Sequence, residues 1–347
     1  MSQIPHITGI QQIGIGTPDL EKAWQWYIRA FGMDVNVFDD AAEAALMIRY
    51  TNQKVEKRRA ALALNMAGGG GFEIWQYTSK VPQPATFDIR LGDLGIYAAK
   101  MKSKNVAALH AHLQKVNKKP GKLGKDLTGR PCFWINDLHG YPFQVVEGND
   151  WFKVKDKITG GVTGACIGVS DMDKSIRFYQ EVLGINELVY DQTGSFEDLP
   201  DEATYRRVLL RKAYTPYGAF SKLLGSIDIE LFERLDKSGR KIFENRFWGD
   251  CGYIHLCFDT INMDGLKARS QAKGHPFTVD SGDTFDMGES GGRFAYVEDP
   301  DGALIELVET HKVPVLKKLN LFLHLKNRKE KQLPDWMVAM LGLNKKR

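Results

Sequence analysis

Six side chains able to bind a metal or move a proton stand in short apolar runs of this 347-residue sequence. His255 lies in GYIHLCF and Glu306 in IELVE; Glu73 lies in GFEIWQY, Glu230 in IELFE, Gln144 in FQVVE and Gln12 in GIQQIGIG. Side chains alternate across a strand, so an inward Glu306 also turns Leu304 and Val308 inward and leaves Ile305 and Leu307 on the opposite face. Isolated carboxylates in such runs call for partners, because an unpaired buried charge costs several kcal/mol. Other motifs carry less. His110 and His112 are two apart on a helix and face different ways. Cys257 shares a face with His255 and reads as a buried inert thiol. Gly14-Ile15-Gly16-Thr17-Pro18-Asp19 lacks the third glycine of a dinucleotide fingerprint, so its glycines make room for something else. Gly68 to Gly71 has no following Lys-Ser/Thr and reads as a hairpin. Lys100, Lys102 and Lys104 alternate as lysines on an exposed edge strand do, with the wall of a cup for an anionic ligand as the alternative.

The elements that position these residues repeat. Asp19, Lys22, Tyr27 and Gly32 form the frame D-x-x-K-x-x-x-x-Y-x-x-x-x-G, which returns at Asp171, Lys174, Tyr179 and Gly184. A second frame, Gly92, Asp93, Gly95, Asn105, Leu109 and Ala111, returns at Gly249, Asp250, Gly252, Asn262, Leu266 and Ala268. Each half also repeats loosely within itself, which gives four modules of strand, helix and about three strands. In module 1 the strand Ile10 to Thr17 precedes a helix capped by Asp19 and ended by Gly32, and strands are expected near Ala44 to Tyr50, Arg59 to Met66 and Phe72 to Tyr77. Modules 2 and 4 close with the turns Asp137-Leu138-His139-Gly140 and Asp299-Pro300-Asp301-Gly302. The fold class is α+β, with a first domain at residues 1–150, a second at 151–311 and a helical, basic C-terminal extension at 312–347.

The βαβββ modules, the repeated helix frame and the ending D-P-D-G-A-L-I-E-L-V-E at residues 299–309 resemble the vicinal oxygen chelate superfamily of glyoxalase I, extradiol dioxygenases, epimerases and bleomycin resistance proteins. The resemblance implies that paired modules curl into half-barrel cups around a divalent metal, with ligands from the first and last strands of two modules. It places first-strand ligands seven residues before the helix-opening Asp or Asn: Gln12, Ala98, Gly164 and His255. Of these only Gln12 and His255 can bind metal. The last-strand positions are Glu73, Gln144, Glu230 and Glu306. Imidazole, carboxylates and an amide oxygen suit Zn, Ni, Co, Mn or Fe with open positions, as Lewis-acid catalysis requires.

If modules 1 and 4 pair, one cup gathers the metal set Gln12, Glu73, His255 and Glu306, with Glu73 as base. The other cup, with Ala98, Gln144, Gly164 and Glu230, then holds no catalytic metal. If each half closes on itself, Glu230 takes the role of base. The implied activity is a glyoxalase-like lyase, isomerase or epimerase that acts on a small substrate with vicinal oxygens through a metal-stabilised enediolate. The alternative is a metal-free protein that sequesters an aromatic compound, with Trp75, Tyr77 and Phe232 beside the carboxylates. An extradiol dioxygenase fits less well. Tyr296 stands ten residues before Glu306 as in those enzymes, but their histidines are missing at Gly164 and at Met287 to Ser290.

Composition sets the remaining bounds. The chain is 43% hydrophobic and 26% charged, with 18 Phe, 12 Tyr and 7 Trp, which is too apolar for wholesale disorder. Its four cysteines include no CxxC pair, and MSQIPHITGI lacks a signal-peptide pattern, so a cytoplasmic protein with free thiols is expected. No run reaches the length of a membrane helix. Residues 311–347 hold ten Lys and Arg against two Asp and Glu, a balance of +8 within a net charge of +4. Leu316, Leu319, Phe322 and Leu323 have helical spacing, so Val315 to Leu325 is expected to dock as an amphipathic helix, and Leu333 to Leu343 as a second. The partner is a small molecule, with neither nucleic acid nor membrane expected.

Overall fold

The computed structural model describes residues 6–154, 157–282, 285–286, 291–316, 321–325 and 330–346. Module 1 comprises β1 (His6–Gly16), α1 (Leu20–Phe31), β2 (Val35–Glu43), β3 (Lys57–Leu64) and β4 (Gly71–Tyr77). Module 2 comprises β5 (Gly95–Ser103), α2 (Val106–Lys115), β6 (Gly124–Lys125), β7 (Pro131–Asn136) and β8 (Pro142–Glu147). Module 3 runs through β9 (Thr159–Gly168), α3 (Met172–Arg177), β10 (Glu187–Gly194), β11 (Tyr205–Lys212), α4 (Ser221–Leu224) and β12 (Ile227–Arg234). Module 4 holds β13 (Gly252–Ile261), α5 (Met263–Ala272), β14 (Val279–Asp280), β15 (Phe285–Asp286), β16 (Gly291–Glu298) and β17 (Leu304–Leu316), and β18 (Leu321–His324) and α6 (Asp335–Met340) complete the chain. No helix among the described residues is long and apolar enough to cross a membrane.

The modules assemble in a crossed manner. One curled sheet has the order β14-β16-β17-β13-β1-β4-β3-β2, with β15 on β16 and β18 on β17; the other has the order β10-β11-β12-β9-β5-β8-β7-β6. Module 4 therefore joins module 1 through the antiparallel pair β1 and β13, and module 3 joins module 2 through β5 and β9. Each sheet takes one module from either half of the chain. The helix-facing sides share one core, in which Ile13, Ile15, Phe72, Ile305 and Leu307 pack with Trp24, Tyr27 and Phe31.

The repeated residues explain how the halves lock. Asp19, Asn105, Asp171 and Asn262 each cap a helix by accepting the backbone N–H three residues on, at 2.9–3.0 Å. Gly32 ends α1 at φ 63°, a left-handed conformation that favours glycine. Tyr27, from the first sheet, donates to Asp137 of the second at 2.7 Å, and Tyr179 returns the arrangement to Asp299 at 3.1 Å. Asp93 accepts from the Arg240 backbone at 2.9 Å and Asp250 from that of Gln83 at 3.0 Å, so each GDxG aspartate pins a connecting segment of the opposite half.

Three expectations are corrected. Ala45–Tyr50 is a short 3₁₀ helix and not a strand. The strand lies earlier, at Val35–Glu43, where Val35 and Val37 are buried, and Met47 alone turns inward from the Ala-rich segment that follows. The first half of the tail is extended and not helical. β17 runs on to Leu316, and β18 folds back on it with Val313 opposite Leu323 and Pro314 opposite Phe322. An available sheet edge satisfies the backbone of this segment, which outweighs the helical spacing of its leucines. Leu319 lies outside the described residues. The second half matches expectation, with α6 followed by a 3₁₀ turn at Leu341–Leu343. Finally, Lys100 and Lys102 are not on an exposed edge: β5 is central, and the two residues are 0% and 1% exposed.

Candidate metal centre

Four adjacent strands supply the expected residues. Gln12 and Gly14 lie on β1, Glu73 on β4, His255 on β13 and Glu306 on β17. Gly14 is in register with both Glu73 and His255, whereas Cys257 is in register with both Gln12 and Glu306. The side chains thus converge from two neighbouring rungs. Gly14 has to lack a side chain, because a Cβ there would lie 2.5 Å from His255 Cε1. This is what the Gly14-Ile15-Gly16 motif makes room for.

The convergence is close. His255 Nε2 stands 3.1 Å from Glu73 Oε2 and 3.2 Å from Glu306 Oε2. One ligand atom from each of the three lies within 4.8 Å of the others, a grouping able to hold a metal ion. Gln12 Nε2 donates to Glu73 at 3.4 Å and to Glu306 at 3.5 Å. On the far side of the imidazole, Tyr296 Oη lies 3.3 Å from Nδ1. With a metal on Nε2, Nδ1 would carry the proton and donate it to that hydroxyl, which fixes the ring as the outer partner of a metal-binding histidine does.

Electrostatics separate the two carboxyls. Burial favours the neutral form of Glu73, but contact with His255 and its charge outweigh this and hold the carboxyl below its ordinary range. Burial, reinforced by the negative charge of Glu73, keeps Glu306 above that range despite His255. Burial disfavours an imidazolium at His255, yet Glu306 and Glu73 together raise its pKa.

The donor set fits a divalent cation. Nε2 of His255 lies within reach of two carboxylates without hydrogen-bond geometry to either, and Oε1 of Gln12 is buried with no partner. A cation among these groups would meet an imidazole lone pair, two carboxylates and, after a turn of the Gln12 amide, its carbonyl oxygen. Glu73, Gln12 and Glu306 form the floor of a cavity of about 260 Å³. Trp75, Trp248 and Tyr296 line it as well.

Residues 161–307 match the Glyoxalase/Bleomycin resistance protein/Dioxygenase superfamily. Among solved structures, glyoxalase I from Zea mays is 15% identical at TM-score 0.54, covering 88% of this chain and 92% of that one. A single-substitution variant of the same maize enzyme gives 15% identity and TM-score 0.56, covering 88% and 94%. A candidate dioxygenase from Bacillus subtilis gives 13% and 0.55, covering 88% and 86%. The chain has the tandem vicinal oxygen chelate fold. No curated protein matches its sequence.

The second cup of this vicinal oxygen chelate pair holds the other expected position. Glu230 is fully buried in the sheet formed by modules 3 and 2, far in the fold from His255, and the structure does not bring the two together. Lys100 Nζ and Arg207 Nε donate to the two oxygens of Glu230, and Arg207 also forms a bidentate pair with Asp198 at 2.7 and 2.8 Å. Burial opposes ionisation of Glu230, but Arg207 and Lys100 outweigh it and hold the carboxyl far below its ordinary range. Ala98 and Gly164 offer no ligand there, and Gln144 lies near Cys166 Sγ at 3.8 Å. Sequence reasoning missed Lys100, Arg207, Trp248 and the loop around α4. Lys100 carried a signal all the same, as a cation two residues from Ala98 on a strand that is otherwise apolar. Of the expected aromatic wall, Trp75 lines the first cavity, Phe232 packs in the second cup, and Tyr77 turns to Trp248.

Proposed function

We propose that this protein is a metal-dependent enzyme of the glyoxalase type, a lyase, isomerase or epimerase for a small substrate with adjacent oxygens. The observation that carries the reading is the convergence of Glu73, His255, Glu306 and Gln12, three of which line one cavity. A divalent ion held by these four residues supplies Lewis-acid polarisation to a carbonyl oxygen. The chain supplies the rest. Glu73 faces the cavity and takes a proton from the carbon next to a carbonyl, then returns it to the same or the adjoining carbon. Tyr296 keeps the His255 ring in one orientation, and Trp75 and Trp248 exclude water from the cavity they line. Oxygen chemistry at a facial triad finds less support, because the cluster has a single imidazole. Met287 to Ser290 lie outside the described residues.

Elemental analysis of protein purified without added ions tests the reading. About one divalent ion per chain is expected, with its loss in His255→Ala. Solvent deuterium exchange into phenylglyoxal-derived or hydroxyketone substrates is expected to require Glu73. Wild-type protein without stoichiometric metal, even after reconstitution, sinks the proposal and leaves the metal-free aromatic binder.

A further inference from the structure

The walls above the metal floor come from parts of the chain that the half-barrel does not need. Phe220, Leu223 and Leu224, around α4 of module 3, line the cavity of the cup built by modules 1 and 4. Leu341, from the 3₁₀ turn after α6, lines it too. These pieces are tied together by backbone hydrogen bonds: Gly69 N–H donates to Leu223 C=O at 2.7 Å, Gly218 to Glu330 at 3.1 Å and Leu333 to Ala219 at 3.1 Å. Module 3 and the tail therefore form a fixed apolar part of the cavity wall.

The cations that line this cavity already have partners, carboxylates for two of them and an aromatic ring for the third. Arg58 pairs with Asp40 at 2.8 Å, Arg293 pairs with Asp264 at 2.6 Å and Asp280 at 2.8 Å, and Lys312 lies over the Phe322 ring at 4.3 Å. Glu43 also stands on the lining and repels an anion. A carboxylate or peptide-like arm on a ligand would lose water there without gaining a dedicated cation. A ring or branched alkyl group would instead bury apolar surface against Trp75, Phe220 and Leu341.

We infer that the substrate has a compact, apolar, ring-bearing body whose only polar end is the pair of vicinal oxygens, and that it is not a conjugate with a charged carrier. This rests on the reading that Glu73, His255 and Glu306 hold a divalent metal. The test uses the full chain loaded with Mn²⁺ and follows the fluorescence of Trp75 and Trp248, which line the cavity. Benzohydroxamate is expected to bind about tenfold or more tighter than acetohydroxamate, which chelates identically but has only a methyl body. S-hexylglutathione is expected not to compete. Equal affinity of the two hydroxamates, or tighter binding of S-hexylglutathione, overturns the inference. A second arm separates this outcome from failure of the metal reading. In chelator-treated protein, 2-naphthol should bind saturably and lose at least tenfold in Leu341→Glu, while the exposed Trp336→Ala leaves it unchanged. Saturable binding there without any metal uptake keeps the substrate body and discards the metal; absence of 2-naphthol binding discards the body.

Discussion

The two cups meet the same electrostatic problem with opposite solutions. Both hold a carboxylate at the same strand position, the partly buried Glu73 in one and the fully buried Glu230 in the other. Beside Glu73, the large His255 faces Gly14; at the matching register of the second sheet, Ala98 faces Cys166. Where the first cup has Cys257, the second has Lys100. The first cup thus gathers a second carboxylate and an imidazole under a cavity, whereas the second draws its cations, Lys100 and Arg207, from its own chain. A module can lose its ligands and remain folded provided that an internal cation replaces the external one.

The tail gives the largest test of this asymmetry, because its described residues pack on the first cup. Val313, Leu325, Leu333, Val338 and Leu341 are buried in one cluster with Trp75 and Trp248, whereas the cluster of the second cup includes no described tail residue. Each such side chain contributes roughly 1.5–3 kcal/mol before entropy is counted. Deletion of residues 313–347 should lower Tm by several degrees, promote aggregation and abolish binding of apolar probes. Calorimetry that finds an unchanged Tm would show that the tail is not part of the first cup. Tight binding of DNA or RNA by the intact chain would instead assign its charge to a nucleic-acid role.

Next in size is the internal cation. Arg207→Met and Lys100→Met each strip a partner from Glu230 and should destabilise the protein by about 3–5 kcal/mol in urea unfolding, with the metal content of the first cup retained. A loss below about 1 kcal/mol would mean that the second cup does not depend on its ion pairs. Gly14→Ala is expected to act in the reverse way. Its Cβ would press on His255, so metal affinity should fall tenfold or more, whereas Cys166→Ala in the second cup should leave metal content unchanged. Equal metal affinity for Gly14→Ala and wild type would remove the glycine from the site.

Much of this arrangement was legible before any coordinates. The helix caps, the α1 stop at Gly32 and the four modules follow from local chemistry and from repeats, which alignment of the chain with itself exposes directly, and the four site residues from the ligand positions that the family resemblance implies. The crossed pairing could be favoured because both first-strand ligands, Gln12 and His255, fall in modules 1 and 4. Strand neighbours could not be read with the same security. Alternation tells which face of the strand carries Lys100 and Lys102, not whether that strand is an edge, and β5 lies between β9 and β8. In the tail, helical spacing of leucines competed with a free edge on β17, the strand just before it, and the spacing of the leucines does not tell that this edge is open.

The smallest effect is a difference in acid response. Glu230 is held far below the ordinary carboxyl range, so its contribution to stability is fully present above about pH 4.3 and is lost only as pH falls through its lower folded value. Burial lowers the pKa of Lys100, but Glu230 outweighs it and the ammonium keeps its charge throughout this range. Lys100→Met removes one of the two cations that depress Glu230, so the acid loss of stability should begin at higher pH than in wild type. Urea midpoints between pH 7 and pH 3 measure the shift, and coincident acid limbs would show that Lys100 does not set the charge of Glu230. The first cup should respond sooner, because metal ligands must be deprotonated and protons compete for them. Acidification of the loaded protein is therefore expected to release metal while circular dichroism stays native. Simultaneous loss of metal and fold would show that the two cups do not titrate independently, and that the internal cations protect the second half only as long as the first is intact.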